Sequence, residues 1–270
     1  MSKNGSSLKE ALQSTFAAGT ILISLVIAYL IYTYVLGNPV NFEGGNPKGH
    51  PIAGNYLAMV YKGGMIVPLL ITIILVLLTF TLERAFTLRK AQGKGSVNKF
   101  VSALQVYLNN NQLDEAITSC DKQKGSIGNV MKAGLKKYKE LQSDSRLDKD
   151  QKLVSLQKEF EEATALELPM LSRNLVILST IASISVLIGL IGTVLGMIRA
   201  FAALAQAGAP DALALATGIS EALINTAFGI TGSTLAIIFY NYFSTRIDSM
   251  TYKIDEAGFS LTQTFASQNK

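Results

Sequence analysis

The sequence predicts an all-α, polytopic membrane protein, with four transmembrane helices and a water-facing helical bundle between the second and third. Three observations carry that prediction. Apolar residues make up 49% of the 270 and charged residues only 16%, whereas a soluble domain carries about 25% charged residues. The mean hydropathy is +0.32. The charges are also sorted: Glu83 to Arg173 holds 16 of the 24 basic and 12 of the 19 acidic residues, while four long apolar runs hold almost none. The same composition excludes other classes. Disorder needs low hydrophobicity and high charge. The single cysteine, Cys120, excludes a disulfide scaffold. His50 is the only histidine, so no standard metal site is expected, and a histidine-based catalytic centre would rest on that one residue. We expect no enzyme and no cofactor. The net charge of +5 is too small to point to nucleic acid.

A bilayer span needs about 20 apolar residues. After a short N-terminus (1–15), residues 16–36, from Phe16 to Leu36, carry no charge. Lys3 and Lys9 precede this run as in a signal peptide. The run is too long for one, however, and Gly37-Asn38-Pro39 is a poor cleavage site, so an uncleaved helix is expected. Residues 37–64, with Gly44, Gly45, Pro47, Gly49 and Pro51, read as an outer loop. The second span, 65–82, is also uncharged. Residues 83–173 form the charged helical region. The third span, 174–204, is apolar from Leu175 and holds one charge, Arg199. Residues 205–211 form a loop. The fourth span, 212–243, holds one charge, Glu221, and 244–270 read as a C-terminal helix. Lysine and arginine mark the cytoplasmic side. The loop 37–64 has only Lys48 and Lys62, and 205–211 has none. The middle region and both termini are therefore expected inside, and both short loops in the periplasm.

In the middle region, Arg84, Arg89, Lys90, Lys94 and Lys99 read as an inside anchor. Val101, Leu104, Val106 and Leu108 are expected to continue the second span. Leu113, Ala116 and Ile117 suggest a short helix, and Val130, Met131, Leu135 and Tyr138 another. Leu153, Leu156, Phe160, Ala163 and Leu166 form an apolar stripe at helical spacing, predicted to run into the third span through Pro169. Spans of 30 residues measure about 45 Å, more than the roughly 30 Å hydrocarbon core. A bundle continuous with the membrane helices is expected. Gly93-Lys94-Gly95-Ser96 lacks the spacing of a phosphate loop. Cys120 is expected buried and His50 solvated.

The last two spans carry the functional signal. Ala182, Ser185, Gly189, Gly192, Gly196 and Ala200 recur every three or four residues, as do Ala222, Thr226, Gly229, Ser233 and Ala236. Small residues at that spacing allow close helix approach. Hydroxyls accumulate there too, which predicts a wet lining or a polar partner. Thr193 lies 20 residues after Arg173, and Thr226 lies 20 before Arg246. If both arginines mark the interface, the two threonines share a level on antiparallel helices. Arg199 and Glu221 share another, nearer the outside. Glu221 is the only carboxylate inside a span and is a functional candidate by default. It reads either as an ion-binding group or as a structural partner of Arg199 or Asn225.

Two segments resemble a known family. Gly189-Leu190-Ile191-Gly192-Thr193-Val194-Leu195-Gly196-Met197 is similar to the G-L-x-G-T-V-x-G-M segment of the MotA/TolQ/ExbB proton channel family. Gly218-Ile219-Ser220-Glu221-Ala222-Leu223-Ile224-Asn225-Thr226-Ala227-Phe228-Gly229 is similar to its G-I-x-E-A-L-x-x-T-A-x-G segment. The likeness runs from about Gly63 to the C-terminus, and the ExbB branch fits best. It implies a three-helix core with an extra N-terminal helix packed outside it, in the inner membrane. It further implies a homo-oligomeric ring, commonly a pentamer, around a single-span ExbD-like partner that carries the ion-binding aspartate. Proton-driven motion would then be passed to a TonB-like protein. On that likeness Thr193, Thr226, Glu221, Asn225 and Ser233 would line the ion path, and Gly189, Gly192, Gly196 and Gly229 would pack helices. Leu235 stands where the family often has proline. Asn225 replaces a small apolar residue and adds an oxygen that would suit Na⁺, although H⁺ is favoured. A TolQ-like or gliding-type stator is the alternative. A small-solute transporter would show inverted repeats, which the two pairs of spans lack.

Overall fold

The structure, a computed structural model, describes residues 3–47, 49–144, 146–205 and 212–268, and all regular elements of any length among them are helices. These are α1 (Lys3–Leu30), α2 (Tyr56–Tyr61), α3 (Ile66–Ala91), α4 (Val97–Asn109), α5 (Leu113–Gln123), α6 (Gly125–Ser143), α7 (Lys149–Ser172), α8 (Leu175–Leu204) and α9 (Ala212–Gln268). Stretches long and apolar enough to cross a membrane lie at Ala17–Leu36, Ile66–Ala91, within Lys149–Leu204 and within Ala214–Gln268. The protein is an all-α polytopic membrane protein. Lys48 and residues 206–211, on which part of the loop reading rested, lie outside the described residues. The chain divides into two compact units, Met1–Leu82 with Ile177–Tyr240, and Glu83–Val176 with Asn241–Lys270.

In the first unit, α1 passes into a π-helical stretch, Ile31–Leu36, that ends at Gly37. The wider turn leaves carbonyls that must find donors. Asn41 supplies them: its amide donates to the Val35 carbonyl at 2.9 Å and the Leu36 carbonyl at 3.2 Å. Asn55 in turn donates to the Asn41 side chain at 3.0 Å. Asn55 also caps α2, accepting from the Leu57 and Ala58 amides. Tyr61, at the end of α2, stacks on Tyr32 with ring centroids 4.7 Å apart. The loop 37–64 is thus a tied-down cap with its own short helix. His50 is exposed there. Pro68 sits in the first turn of α3, where its missing N–H costs nothing. Thr72 and Thr79 of α3 donate to their own helix, to the Pro68 and Leu75 carbonyls. Large apolar side chains such as Leu22 (63%) and Leu223 (64%) are exposed, which suits a lipid-facing surface.

The second unit has a continuous core. Phe100, Leu104 and Leu108 of α4, Cys120 of α5, and Met131, Leu135 and Tyr138 of α6 meet Leu156 and Phe160 of α7 and Ile254, Leu261 and Phe265 of α9. Tyr138 packs edge-on against Phe265, with centroids 4.6 Å apart, and its hydroxyl donates to the Gln268 side-chain oxygen at 2.5 Å. Asp148 caps α7 with a reciprocal box to Gln151. Arg84 is buried and pairs with Glu83 at 2.6 Å, while its remaining nitrogen donates to the Leu171 carbonyl at 3.2 Å.

Two sequence expectations are corrected here. Val101, Leu104, Val106 and Leu108 do not continue the second span. The helix stops at Ala91, and Gly93 and Gly95, both at positive φ, turn the chain. A Cβ on Gly93 would meet the Gln123 carbonyl at 2.7 Å, so the turn packs against the α5–α6 junction only because glycine stands there. The stripe of α7 does not run into the third span at Pro169. The proline lies inside α7, and the break comes at Arg173 and Asn174, the latter in left-handed conformation. The C-terminal helix expected from residue 244 continues the fourth span directly among the described residues, since α9 is unbroken from Ala212 to Gln268.

Cys120 is buried in α5, and that burial, with the neighbouring Asp121 charge, pushes its thiol up to about 12. Little reactive thiolate exists at pH 8. Maleimide labelling of the folded protein is expected to be roughly 100-fold slower than in denaturant, read by mass spectrometry of timed samples.

Candidate functional site

The site is built on the crossing of α8 and α9 in the first unit, and glycine sets its closeness. A Cβ on Gly189 would lie 2.9 Å from the Asn225 carbonyl and 3.0 Å from the Gly229 Cα. A Cβ on Gly229 would lie 2.8 Å from both the Gly189 Cα and the Ser185 carbonyl. A Cβ on Gly196 would meet the Gly218 carbonyl at 2.8 Å. A Cβ on Gly192 would meet the Asn225 amide carbon at 2.7 Å. At Gly189, Gly196 and Gly229 the obstacle is backbone, which cannot swing aside, so these glycines are what permits the contact.

Hydroxyls then bridge the two helices. Ser185 donates to the Gly229 carbonyl at 2.9 Å, and Ser233 donates to the Ala182 carbonyl at 2.5 Å. Thr193 and Thr226 hydrogen-bond to each other through their hydroxyls. The Gly189 and Ala222 carbonyls lie within 3.2 Å of Thr193 and Thr226 respectively, and can take the proton left over. Both threonines are half-buried. Ser233, expected on a lining, spends its proton on the neighbouring helix instead, while Ser183 and Thr234 are exposed.

About a turn and a half from the threonine pair, in the same direction along both helices, the chemistry becomes charged. Arg199 and Glu221 form an ion pair, with 52% of the arginine side chain exposed but only 7% of the glutamate. Gly64, at φ +75°, lies directly against this pair, and a Cβ there would fall on the Glu221 carboxylate and 3.1 Å from the Arg199 guanidinium. Asn225 does not pair with Glu221. Its Nδ2 donates to the Gly63 carbonyl at 2.9 Å, tying α9 to the chain just before α3. Its Oδ1 is buried without a hydrogen-bond partner, an arrangement that carries a cost in a dry interior. The sequence reading missed the Gly63-Gly64 role; a Gly-Gly pair directly before an apolar span was the available signal. Among the described residues no cluster of three or more His, Cys, Asp or Glu could hold a metal.

The MotA/TolQ/ExbB proton channel family model matches residues 122–256, which take in α8, α9 as far as Glu256 and the whole of this crossing. The chain belongs to the MotA/TolQ/ExbB proton channel family. Among relatives, the Tol-Pal system protein TolQ of Pseudomonas aeruginosa is 32% identical over 124 residues, 46% of this chain and 54% of that protein. The biopolymer transport protein ExbB of Salmonella typhimurium is 40% identical over 72 residues, 27% of this chain and 30% of that protein. A putative ExbB homolog of Methanothermobacter thermautotrophicus is 27% identical over 202 residues, 75% of this chain and 67% of that protein. The matched segments thus span about half or less of the length of the TolQ and ExbB relatives. The chain is thus an ExbB-like member of this family. The family match begins inside α5 and leaves α1, α2 and the 37–64 cap outside it.

Proposed function

We propose that this chain is an ExbB-like subunit of an ion-driven inner-membrane motor. It forms a homo-oligomeric ring, a pentamer on the family's pattern, around an ExbD-like single-span partner, and passes proton-motive force through a TonB-like protein to outer-membrane transport. Both termini lie in the cytoplasm. The observation that carries this reading is the Thr193–Thr226 hydroxyl pair. Two half-buried hydroxyls at one level on two apolar helices can exchange hydrogen bonds with each other and with a passing ion or a partner carboxyl. The unpartnered Asn225 oxygen belongs to the residue next to Thr226, and the Glu221 carboxylate lies five residues before it, about a turn and a half of α9. Ser233 belongs to the helix contact in this reading more than to the path. The transported ion is H⁺; the extra oxygen of Asn225 makes Na⁺ the competing ion.

A second reading, a TolQ-like subunit, is favoured by the 32% identity to a TolQ over 124 residues. The test is co-expression with an ExbD-like partner in strains lacking either ExbB or TolQ. Rescue of TonB-dependent uptake supports the first reading, and rescue of Tol-Pal function alone supports the second. In liposomes holding the complex, Thr226→Val is expected to cut proton flux by tenfold or more, on the scale of losing a hydrogen bond made in the path. Unchanged flux in that variant would remove the threonine pair from the mechanism, and flux that follows Na⁺ alone would replace H⁺ as the ion.

A further inference from the structure

The second unit carries a cavity of about 360 Å³ that the proposed ion path does not use. Two helix faces build it. Leu88 and Arg89 project from the last turn of α3, with Gln92 just beyond it, and Arg246, Met250 and Lys253 project from α9 at spacings of four and three residues. Val97, Ile127, Phe243 and Ile254 complete an apolar floor. The lining therefore holds three cations and no carboxylate. None of the three cations is in an ion pair among the described residues. The Arg246 guanidinium sits 5.9 Å from the Tyr242 ring centroid. Like charges gathered without a counter-ion repel, and an anion placed among them removes that cost. The apolar floor asks for something more than a small anion.

The position along the helices says what. The apolar part of α3 ends at Leu82, and Arg89 comes two turns later, roughly 10 Å on. The apolar part of α9 ends at Phe243, and Arg246 follows within one turn. On the orientation given by the basic residues, this is headgroup depth in the cytoplasmic leaflet. We propose that the pocket binds an anionic phospholipid. Its phosphodiester lies among Arg89, Arg246 and Lys253, and the first methylenes of an acyl chain cover the floor. Basic pockets on the cytoplasmic side of helical membrane proteins hold anionic headgroups in this way. A free phosphate shares the headgroup's charge but leaves the floor bare. The proposal stands independently of the ion path.

Native mass spectrometry of the full-length protein in neutral detergent tests it, with phosphatidylglycerol, phosphatidylcholine and inorganic phosphate each as probe. Phosphatidylglycerol is expected to bind about tenfold or more tighter than phosphatidylcholine, and phosphate alone weakly. Arg89→Gln with Arg246→Gln and Lys253→Gln is expected to erase that preference. Lys136→Gln with Lys139→Gln and Lys158→Gln, an equal change of charge on exposed surface, is expected to keep it. Ser249 also lines the cavity; Ser249→Phe fills it while keeping every cation, and is expected to lose phosphatidylglycerol as well, which decides the matter if the triple variant fails to fold. Equal binding of the two lipids, wild-type binding by a folded pocket variant, or phosphate binding as tight as the lipid overturns the proposal.

Discussion

Replacing Gly229 with valine is expected to be among the most damaging single changes in the protein. The new Cβ alone would lie 2.8 Å from the Gly189 Cα and from the Ser185 carbonyl, both backbone atoms of α8. Overpacking of a close contact costs about 1–3 kcal/mol when the neighbours are side chains. Here whole helices must separate. Separation also stretches the bonds of Ser185 to Gly229, Ser233 to Ala182 and Thr193 to Thr226. Each interhelical bond in a membrane is worth about 0.6–2 kcal/mol. A loss of about 3 kcal/mol or more is expected, measured by unfolding in mixed micelles against wild type. Thr231→Val, two residues away, is the control. Thr231 is exposed and donates only to its own helix, at the Ala227 carbonyl, so its loss is expected to cost less than about 0.5 kcal/mol. Equal stability of the two variants would mean that the glycine crossing does not hold α8 and α9 together.

Much of this crossing was legible before any coordinates. Small residues at three- and four-residue spacing name the faces that meet, and counting from Arg173 and Arg246 puts Thr193 opposite Thr226 and Arg199 opposite Glu221. Counting works there because α8 is regular from Leu175 on and α9 throughout, so that the turn at Asn174 lies only at the very start of the interval. It fails wherever a left-handed residue resets the direction. Asn174 ends α7 two residues after an otherwise helical stretch, and Gly93 and Gly95 end α3 where an amphipathic pattern resumes four residues later. Hydrophobic spacing is nearly the same on both sides of such a turn, so it reads as one helix. Partners distant in sequence were hidden for a different reason. Nothing about Asn225 says that its amide will reach the Gly63 carbonyl, 162 residues back. Nor does the sequence say that Arg84, one basic residue among many, will be buried against Glu83 and the Leu171 carbonyl. The side of the hydroxyls was also ambiguous: a serine every third or fourth residue is compatible with a wet lining or with a helix clamp, and Ser185 and Ser233 turn out to be clamps.

The Arg199–Glu221 pair gives the other large effect, and its asymmetry decides the sign. Glu221 is enclosed, at 7% side-chain exposure, whereas half of Arg199 is open. Arg199→Leu strands an enclosed carboxylate beside Gly64. Breaking a buried pair from that side costs about 3–5 kcal/mol. Glu221→Gln instead leaves an arginine whose long stem can carry its charge toward a wetter level, and an amide that can still accept from it. The cost there is expected nearer 1 kcal/mol. The double variant, Arg199→Leu with Glu221→Gln, removes both charges and is expected to recover most of the stability lost by Arg199→Leu, because a neutral pair has no desolvated charge to hold. Unfolding in mixed micelles around the four-membered cycle measures the coupling. Proton flux through the complex with its partner then separates the two roles of Glu221. If the double variant regains stability and flux together, the carboxylate is a structural partner of Arg199. If it regains stability while flux stays low, the carboxylate acts on the ion itself. Equal costs for the two single variants would contradict the burial asymmetry from which the argument starts.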